Sequence, residues 1–255
     1  MSRTLTAVAL AGLLGLTGGA AAPGVSPQKT KPQKNVKPDP ASAREPRPGA
    51  ALLAEDKGKF RILLNGQPVG SEEFRISPDD GNTQQWTARG STEIRLPGGA
   101  SQVSGRLQLA PDGTPRRYEW TSQSKKKASA TVEFQGNVAK MSLELEGAKP
   151  FVQDFTFGSP RVVILDNNLY HHYALLARLY DWNARGAQTF PVLIPQEMTP
   201  GMIAVEAFGP QQVDGAALEL LRVRTADLEI NLYFDASRRL VRLDVPTSKA
   251  VIVRE

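Results

Sequence analysis

From Gly58 onward apolar and polar residues alternate with a period of two, and turn-forming pairs interrupt the alternation at short intervals. That pattern is what half-buried strands require, because successive side chains point to opposite faces of a sheet. Phe60, Ile62 and Leu64 alternate with polar neighbours, Asn65-Gly66 supplies a turn, and Val69 to Ile76 returns, which describes a hairpin. Further turn signals fall at Asp79-Asp80-Gly81-Asn82, Pro97-Gly98-Gly99, Pro111-Asp112-Gly113 and Gln135-Gly136-Asn137. Between them Val103, Leu107 and Leu109 share one face, as do Met141, Leu143 and Leu145. Short connections between such strands imply an antiparallel meander, and residues 51–255 read as a single β-rich domain.

One segment breaks the alternation. Asp166-Asn167-Asn168 offers N-cap side chains, and LYHHYALLARLYDW follows without Gly or Pro until Gly186, so a helix is expected at about 167–183. At helical spacing Leu169, His172, Tyr173, Leu176 and Tyr180 form one apolar stripe, and Tyr170, Ala174, Leu175 and Ala177 widen it beyond half the circumference. A helix so apolar has to be covered on several sides. After it the strand pattern resumes at Phe190 to Ile194, Met202 to Phe208 and Leu218 to Arg224. It continues through Leu228 to Phe234, Val241 to Val245 and Val251 to Val253. The expected fold is mainly β (α+β), a curved antiparallel sheet or half-barrel wrapped around one buried helix.

Residues 1–22 have a basic start at Arg3, an apolar run from Leu5 to Leu16 and a small-residue end, Gly19 to Ala22. This is the pattern of a signal peptide cleaved after Ala21 or Ala22, and its apolar run is too short to span a bilayer. The expected localisation is therefore periplasmic or secreted, with no transmembrane segment in the mature chain. The chain contains no cysteine, which excludes disulfides, thiol nucleophiles, thiolate metal sites and lipoprotein acylation. Residues 23–50 are a disordered Pro/Lys-rich tail or linker by composition, with seven prolines between Pro23 and Pro48 and a net charge of +4. Two readings of it stay open, a spacer and a basic arm contacting an anionic envelope surface. With Arg3, the tail accounts for the whole formal charge of +5, and residues 49–255 balance 24 basic against 24 acidic side chains. Nucleic-acid binding by a neutral domain is not expected.

The hairpin opening NGQPVG, with Asn65-Gly66 and Val69-Gly70, the single apolar helix and the closing strand Leu240 to Val245 together resemble exported bacterial β-proteins of the lipoprotein-carrier type. Similar layouts occur in domain-of-unknown-function families of the cell envelope. The resemblance covers residues 58–255 in layout. It implies an incomplete barrel closed by a helix over an apolar cavity and a hydrophobic ligand, and it assigns no site residues.

Catalytic signatures are missing: there is no GxSxG elbow, HExxH, Walker A or GxGxxG after a strand. His171 and His172 are the only histidines, and adjacent helical residues project about 100° apart, so they do not chelate one metal as an i, i+4 pair does. His172 falls on the apolar stripe and reads first as a hydrogen-bonded core residue. Glu72-Glu73 and Asp79-Asp80 are poor acid/base pairs, since neighbouring strand residues face opposite ways and the second pair sits in a turn. Lys125-Lys126-Lys127 reads as a solvated loop tip, and Trp86, Trp120 and Trp182 as core. The segment IPQEMTPGMI, residues 194–203, carries Met198 and Met202 and reads either as a connector or as a lid over an apolar ligand.

The leading expectation is a non-catalytic envelope or secreted protein that shelters a lipid or lipid-modified chain between sheet and helix. The expected lining residues are Tyr170, His172, Tyr173, Leu176, Met198 and Met202, and no metal or cofactor is expected. One alternative is a structural or interaction module with a filled core. Another is a hydrolase of a wall or lipid component using His171 or His172, with Asp166 near by.

Overall fold

The computed structural model describes residues 52–79, 82–124, 127–184, 186–225 and 228–255. The expected signal peptide, the basic tail and two lysines of the 125–127 cluster lie outside the described residues. Alternation translates directly into burial in β1 (Asp56–Leu64), where Phe60 and Ile62 are buried and Arg61 between them is exposed. The turn to β2 (Gln67–Asp79) has Asn65 at φ 51° and Gly66 at φ 77°. Two consecutive positive φ values match the right-handed twist of the flanking strands, which is why an Asn-Gly pair stands here.

The meander continues through β3 (Asn82–Leu96), β4 (Gly99–Leu109), β5 (Pro115–Gln123), β6 (Lys127–Gln135), β7 (Val138–Leu145) and β8 (Phe151–Thr156). A two-residue strand β9 (Val163–Ile164) precedes the helix α1 (His171–Leu179). A second meander follows: β10 (Gln188–Ile194), β11 (Thr199–Val213), β12 (Ala216–Arg224), β13 (Glu229–Phe234), β14 (Leu240–Val245) and β15 (Ala250–Arg254). The described strands form one 15-stranded sheet in the order β8-β7-β6-β5-β4-β3-β2-β1-β15-β14-β13-β12-β11-β10-β9. The two meanders join where β1 pairs antiparallel with β15, from Phe60 opposite Arg254 to Leu64 opposite Ala250. Only β9 with β10 is a parallel pair among the described strands.

This large sheet is curved. The short turn Pro195–Glu197, which directly follows β10, lies against β6. Laid flat, those two strands would stand about 50 Å apart, at roughly 4.8 Å per strand step.

The helix is shorter than the expected 167–183. Asn168 adopts φ 65°, which no helix interior accommodates, so the first helical residue is His171 and the cap position falls to Tyr170, without a side-chain cap of its own. The Asp166 carboxylate, expected to cap, instead accepts from the backbone N–H of Asn167 (3.1 Å) and of Gln196 (3.3 Å). At the other end Tyr180 is extended at φ −71°, ψ 128°, six residues before Gly186. Trp182 Nε1 donates to the Ala177 carbonyl at 2.9 Å, satisfying one of the acceptors that a helix C-terminus leaves open. All residues from His171 to Ala177 are buried, and the helix packs against β3 and β14.

Candidate functional site

The start of the helix is built around a carboxylate from a strand. On β2 the buried positions are Glu72, Phe74 and Ile76, while Glu73 and Arg75 face out, so Glu72 occupies a place in the alternation where an apolar residue would be usual. Its Oε2 accepts from the backbone N–H groups of Tyr170 (2.9 Å) and His171 (3.2 Å), and its Oε1 lies 2.6 Å from His171 Nδ1. A residue 98 positions upstream thus supplies the cap that Asp166-Asn167-Asn168 does not.

Burial decides the ionisation of this pair. It pushes the Glu72 carboxyl well above the usual carboxylate range against the two amide bonds that pull it down, and it drives the His171 imidazole down to about 3. Both shifts favour the uncharged forms of the two groups. Space for the pair is cut from the sheet: a Cβ on Gly90 of β3 would stand 2.5 Å from the His171 ring and 2.7 Å from Glu72 Oε1. On the next strand, a Cβ at Gly105 would meet Leu169 at 2.5 Å. Beside them Thr92 Oγ1 donates to the Asn168 carbonyl at 2.5 Å, and the Phe74 ring stacks on His171 with centroids 6.0 Å apart.

A second set fixes the residues before the helix. The Tyr118 hydroxyl donates to Asp166 Oδ2 at 2.5 Å, and the Asp166 backbone N–H donates to His172 Nδ1 at 3.3 Å. Burial raises Asp166 to about 7, opposed by its hydrogen bonds to Tyr118, Gln196 and Asn167. His172 is pushed well below its ordinary value by burial and by its neighbour His171, whose ring centroid is 4.4 Å away. Asn167 Nδ2 donates to Glu197 at 2.7 Å, and Gln196 Nε2 returns a bond to the Asn167 carbonyl at 2.9 Å. Both imidazole Nε2 atoms are buried without a hydrogen-bond partner among the described residues.

These bonds fasten the helix to β2 and β5 and to the turn after β10. As chemistry they are closed: His171 and His172 have no exposed surface from which to reach a substrate. Among the described residues no three His, Cys, Asp or Glu side chains converge on a metal-sized site. No helix of the described residues is long and apolar enough to cross a membrane.

The six expected lining residues do not share one surface. Tyr170, His172, Tyr173 and Leu176 are buried on or beside the helix; Met198 is half-buried against the core; Met202 on β11 is 59% exposed. A pocket between one side of the helix and the sheet, lined by residues including Leu53, Leu107, Val163, Leu175 and Leu179, holds about 10 Å³. That is about one water's space, far below the several hundred Å³ of a ligand pocket. Residues 194–203 form a hairpin connection, with Ile194 opposite Thr199, a 3-10 turn at Pro195–Glu197 and Met198 at φ 51°. Pro246–Ser248 with Lys249 at φ 53° repeats the same turn between β14 and β15, which favours the connector reading of 194–203 over a lid. Trp86 and Trp120 are core residues, and Trp182 is partly buried against Tyr180 and Phe234. Sequence reasoning missed Glu72 and Tyr118. The first was visible as a charged residue in register with Phe74 and Ile76; the second carried no signal, since tyrosine is ordinary on an inner face.

No protein-family model matches the chain, and no curated protein sequence matches it. Among solved structures it is similar to a β-barrel-like protein of domain of unknown function DUF1849 from Brucella abortus. The TM-score is 0.53 at 10% identity, with 80% of this chain and 95% of that one covered. A DUF1089 family protein from Pseudomonas aeruginosa scores 0.43 at 11% identity over 67% of this chain and 86% of its own, too low to bear on the fold. The first likeness fits a mainly β protein built on one large curved sheet.

Proposed function

We propose that the chain is a non-catalytic, exported interaction module of the cell envelope, whose sheet curves round the helix and whose interior is filled. The observation that supports this reading is that the pocket beside Leu175 and Leu179, between that side of the helix and the sheet, holds only about 10 Å³. The polar bonds of Glu72, Asp166 and His171 tie the helix down rather than open a binding chamber. This favours the filled-core module over a carrier sheltering a lipid there, and the buried histidines leave a hydrolase without an accessible base. A recruiting surface is at hand on β8, an edge strand with Phe151 47% and Val152 56% exposed, beside Leu145 of β7 at 48%. An extended partner segment added to that edge would gain ladder hydrogen bonds and apolar contact together.

The test is native mass spectrometry of the protein purified from a bacterial envelope without detergent, followed by organic extraction. The expected result is an apo mass that does not change on incubation with envelope lipids. A stoichiometric apolar adduct would overturn the filled-core reading and restore the carrier.

A further inference from the structure

The outer face of β1 to β4 carries a row of cations in lateral register. Lys57 stands opposite Arg75, Arg75 opposite Arg89, and Arg89 opposite Arg106. Adjacent strands are about 4.8 Å apart, so the three guanidinium stems rise within about 10 Å of one another. Like charges directly opposite one another weaken a sheet, and a sheet normally interleaves them with acids.

Acids are present here and are committed elsewhere. Glu73 lies 3.3 Å from Lys59, and Glu119, opposite Arg106, lies 3.0 Å from Arg117. Arg75, Arg89 and Arg106 therefore have no acidic partner among the described residues, and Arg106 Nε is buried with no hydrogen bond. The next row, on β2 to β5, starts with Glu73 and continues with the hydroxyls of Ser91, Ser104 and Thr121, and Glu73 and Glu119 both line the groove between the rows. Ser104 Oγ donates to Ser91 Oγ at 3.2 Å. Between the two rows runs an open groove of about 510 Å³, whose floor includes Gly90 and Gly105.

We propose that this groove is a binding site for a phosphate-bearing small molecule, held by Arg75, Arg89 and Arg106 along one wall and by the Ser91, Ser104 and Thr121 hydroxyls along the other. Guanidinium forks match phosphate oxygens in pairs, and three of them in a row suit two linked phosphates or a phosphate with a neighbouring acid better than a single small ion. Hydroxyls opposite them reach ester oxygens or the hydroxyls of the group that bears the phosphate. The site is independent of the interior and of the β8 edge, and it gives the module a ligand of defined charge.

The free compound and the lipid headgroup share this chemistry, so the experiment has two arms. Full-length protein is titrated calorimetrically with inorganic pyrophosphate at low and high salt. It is then mixed with sedimenting vesicles of phosphatidylcholine, with and without phosphatidylglycerol. Arg89→Gln/Arg106→Gln serves as the loss variant and Lys140→Gln, an exposed lysine on β7, as the charge control. Saturable binding in either arm, weakened about tenfold or more by the double variant and less than about twofold by the control, is the expected result. Pyrophosphate binding points to a soluble ligand; binding to anionic vesicles alone points to a headgroup. Circular dichroism confirms that the variant folds. No binding in both arms, or equal loss in the double variant and in Lys140→Gln, overturns the proposal.

Discussion

The two faces of the strands β2 to β5 treat charge in opposite ways. Inside, Glu72, His171, Asp166 and Tyr118 are buried, and each charged or polar head meets a named partner at 2.5–3.3 Å. Outside, Arg75, Arg89 and Arg106 stand in register and share no acid. Residues one position apart on the same strand, such as Glu72 and Glu73 or Gly90 and Arg89, thus belong to different energetic problems. In the interior a lone charge is unaffordable, so the network is complete enough to fix where the helix begins. At the surface water screens the repulsion, and a ladder of cations survives at a modest cost to stability. The inner face serves the fold, and the outer face is free to serve a ligand.

The widest contrast is expected from neighbouring glutamates. Glu72→Ala strips two backbone N–H groups and an imidazole of their buried partner and should cost about 3–5 kcal/mol. Glu73→Ala removes only an exposed pair with Lys59 and should cost less than about 1 kcal/mol. Urea denaturation of the two variants, at matched slope, measures the difference, and equal losses would break the comparison.

Gly90→Ala comes next. Its methyl would sit 2.5 Å from the His171 ring, and overpacking of this kind costs about 1–3 kcal/mol. Ser91→Ala, one residue on and facing out, should be nearly neutral. If both variants melt at the wild-type temperature, the helix is not held where the Glu72–His171 contact places it.

The same division by face explains how much could be read in advance. Strands such as β1 and β2 were legible because their outward positions stay mostly polar even where the inner ones vary. Asn65-Gly66 announced its hairpin because two positive φ values leave few other residue choices. The helix was legible as an apolar run, but its start was not. Local capping rules point to Asp166-Asn167-Asn168, whereas the cap comes from Glu72, a long-range contact that no window of sequence contains. The candidate lining residues lie on different surfaces for a related reason. Tyr170, His172, Tyr173 and Leu176 share a helix and its burial, while Met202 faces out because its parity on β11 is opposite to that of the buried Ile203 and Val205. The arginine row was invisible for the same cause as Glu72, since register between strands is a property of the fold.

A pH series separates the two buried carboxyl groups from the histidines. Asp166 is raised to about 7 in the folded state, so its contribution is fully present below about pH 4 and is lost as pH rises through 7. His171, lowered to about 3, acts the other way: its contribution is present above about pH 6.5 and is lost as pH falls toward 3. Wild-type stability mixes these slopes. Asp166→Asn removes only the first, so the stability of the variant relative to wild type should improve with pH by up to about 1.4 kcal/mol per unit between pH 4 and 7, then level off. Chemical denaturation at half-unit steps reads this directly, and a gap that stays constant across the range would mean that Asp166 is ionised in the folded protein throughout.

The smallest effect is expected on the outside and has the opposite sign. Arg89→Thr takes the middle cation out of the row and places a β-branched residue on an exposed strand position, both favourable changes. At low ionic strength it should stabilise the protein by less than about 1 kcal/mol, and added sodium chloride should erase the advantage, because screening relieves the wild-type repulsion by itself. Pyrophosphate should do more than erase it. An anion bound by the intact row raises wild-type stability in proportion to its occupancy, whereas the variant binds weakly and gains little. Melting temperatures of the two proteins should therefore cross as pyrophosphate is added and should not cross with chloride at the same ionic strength. A gap that responds only to ionic strength would reduce the row to ordinary surface repulsion, while a crossing would show that the cost left standing on the outer face is recovered when the groove is occupied.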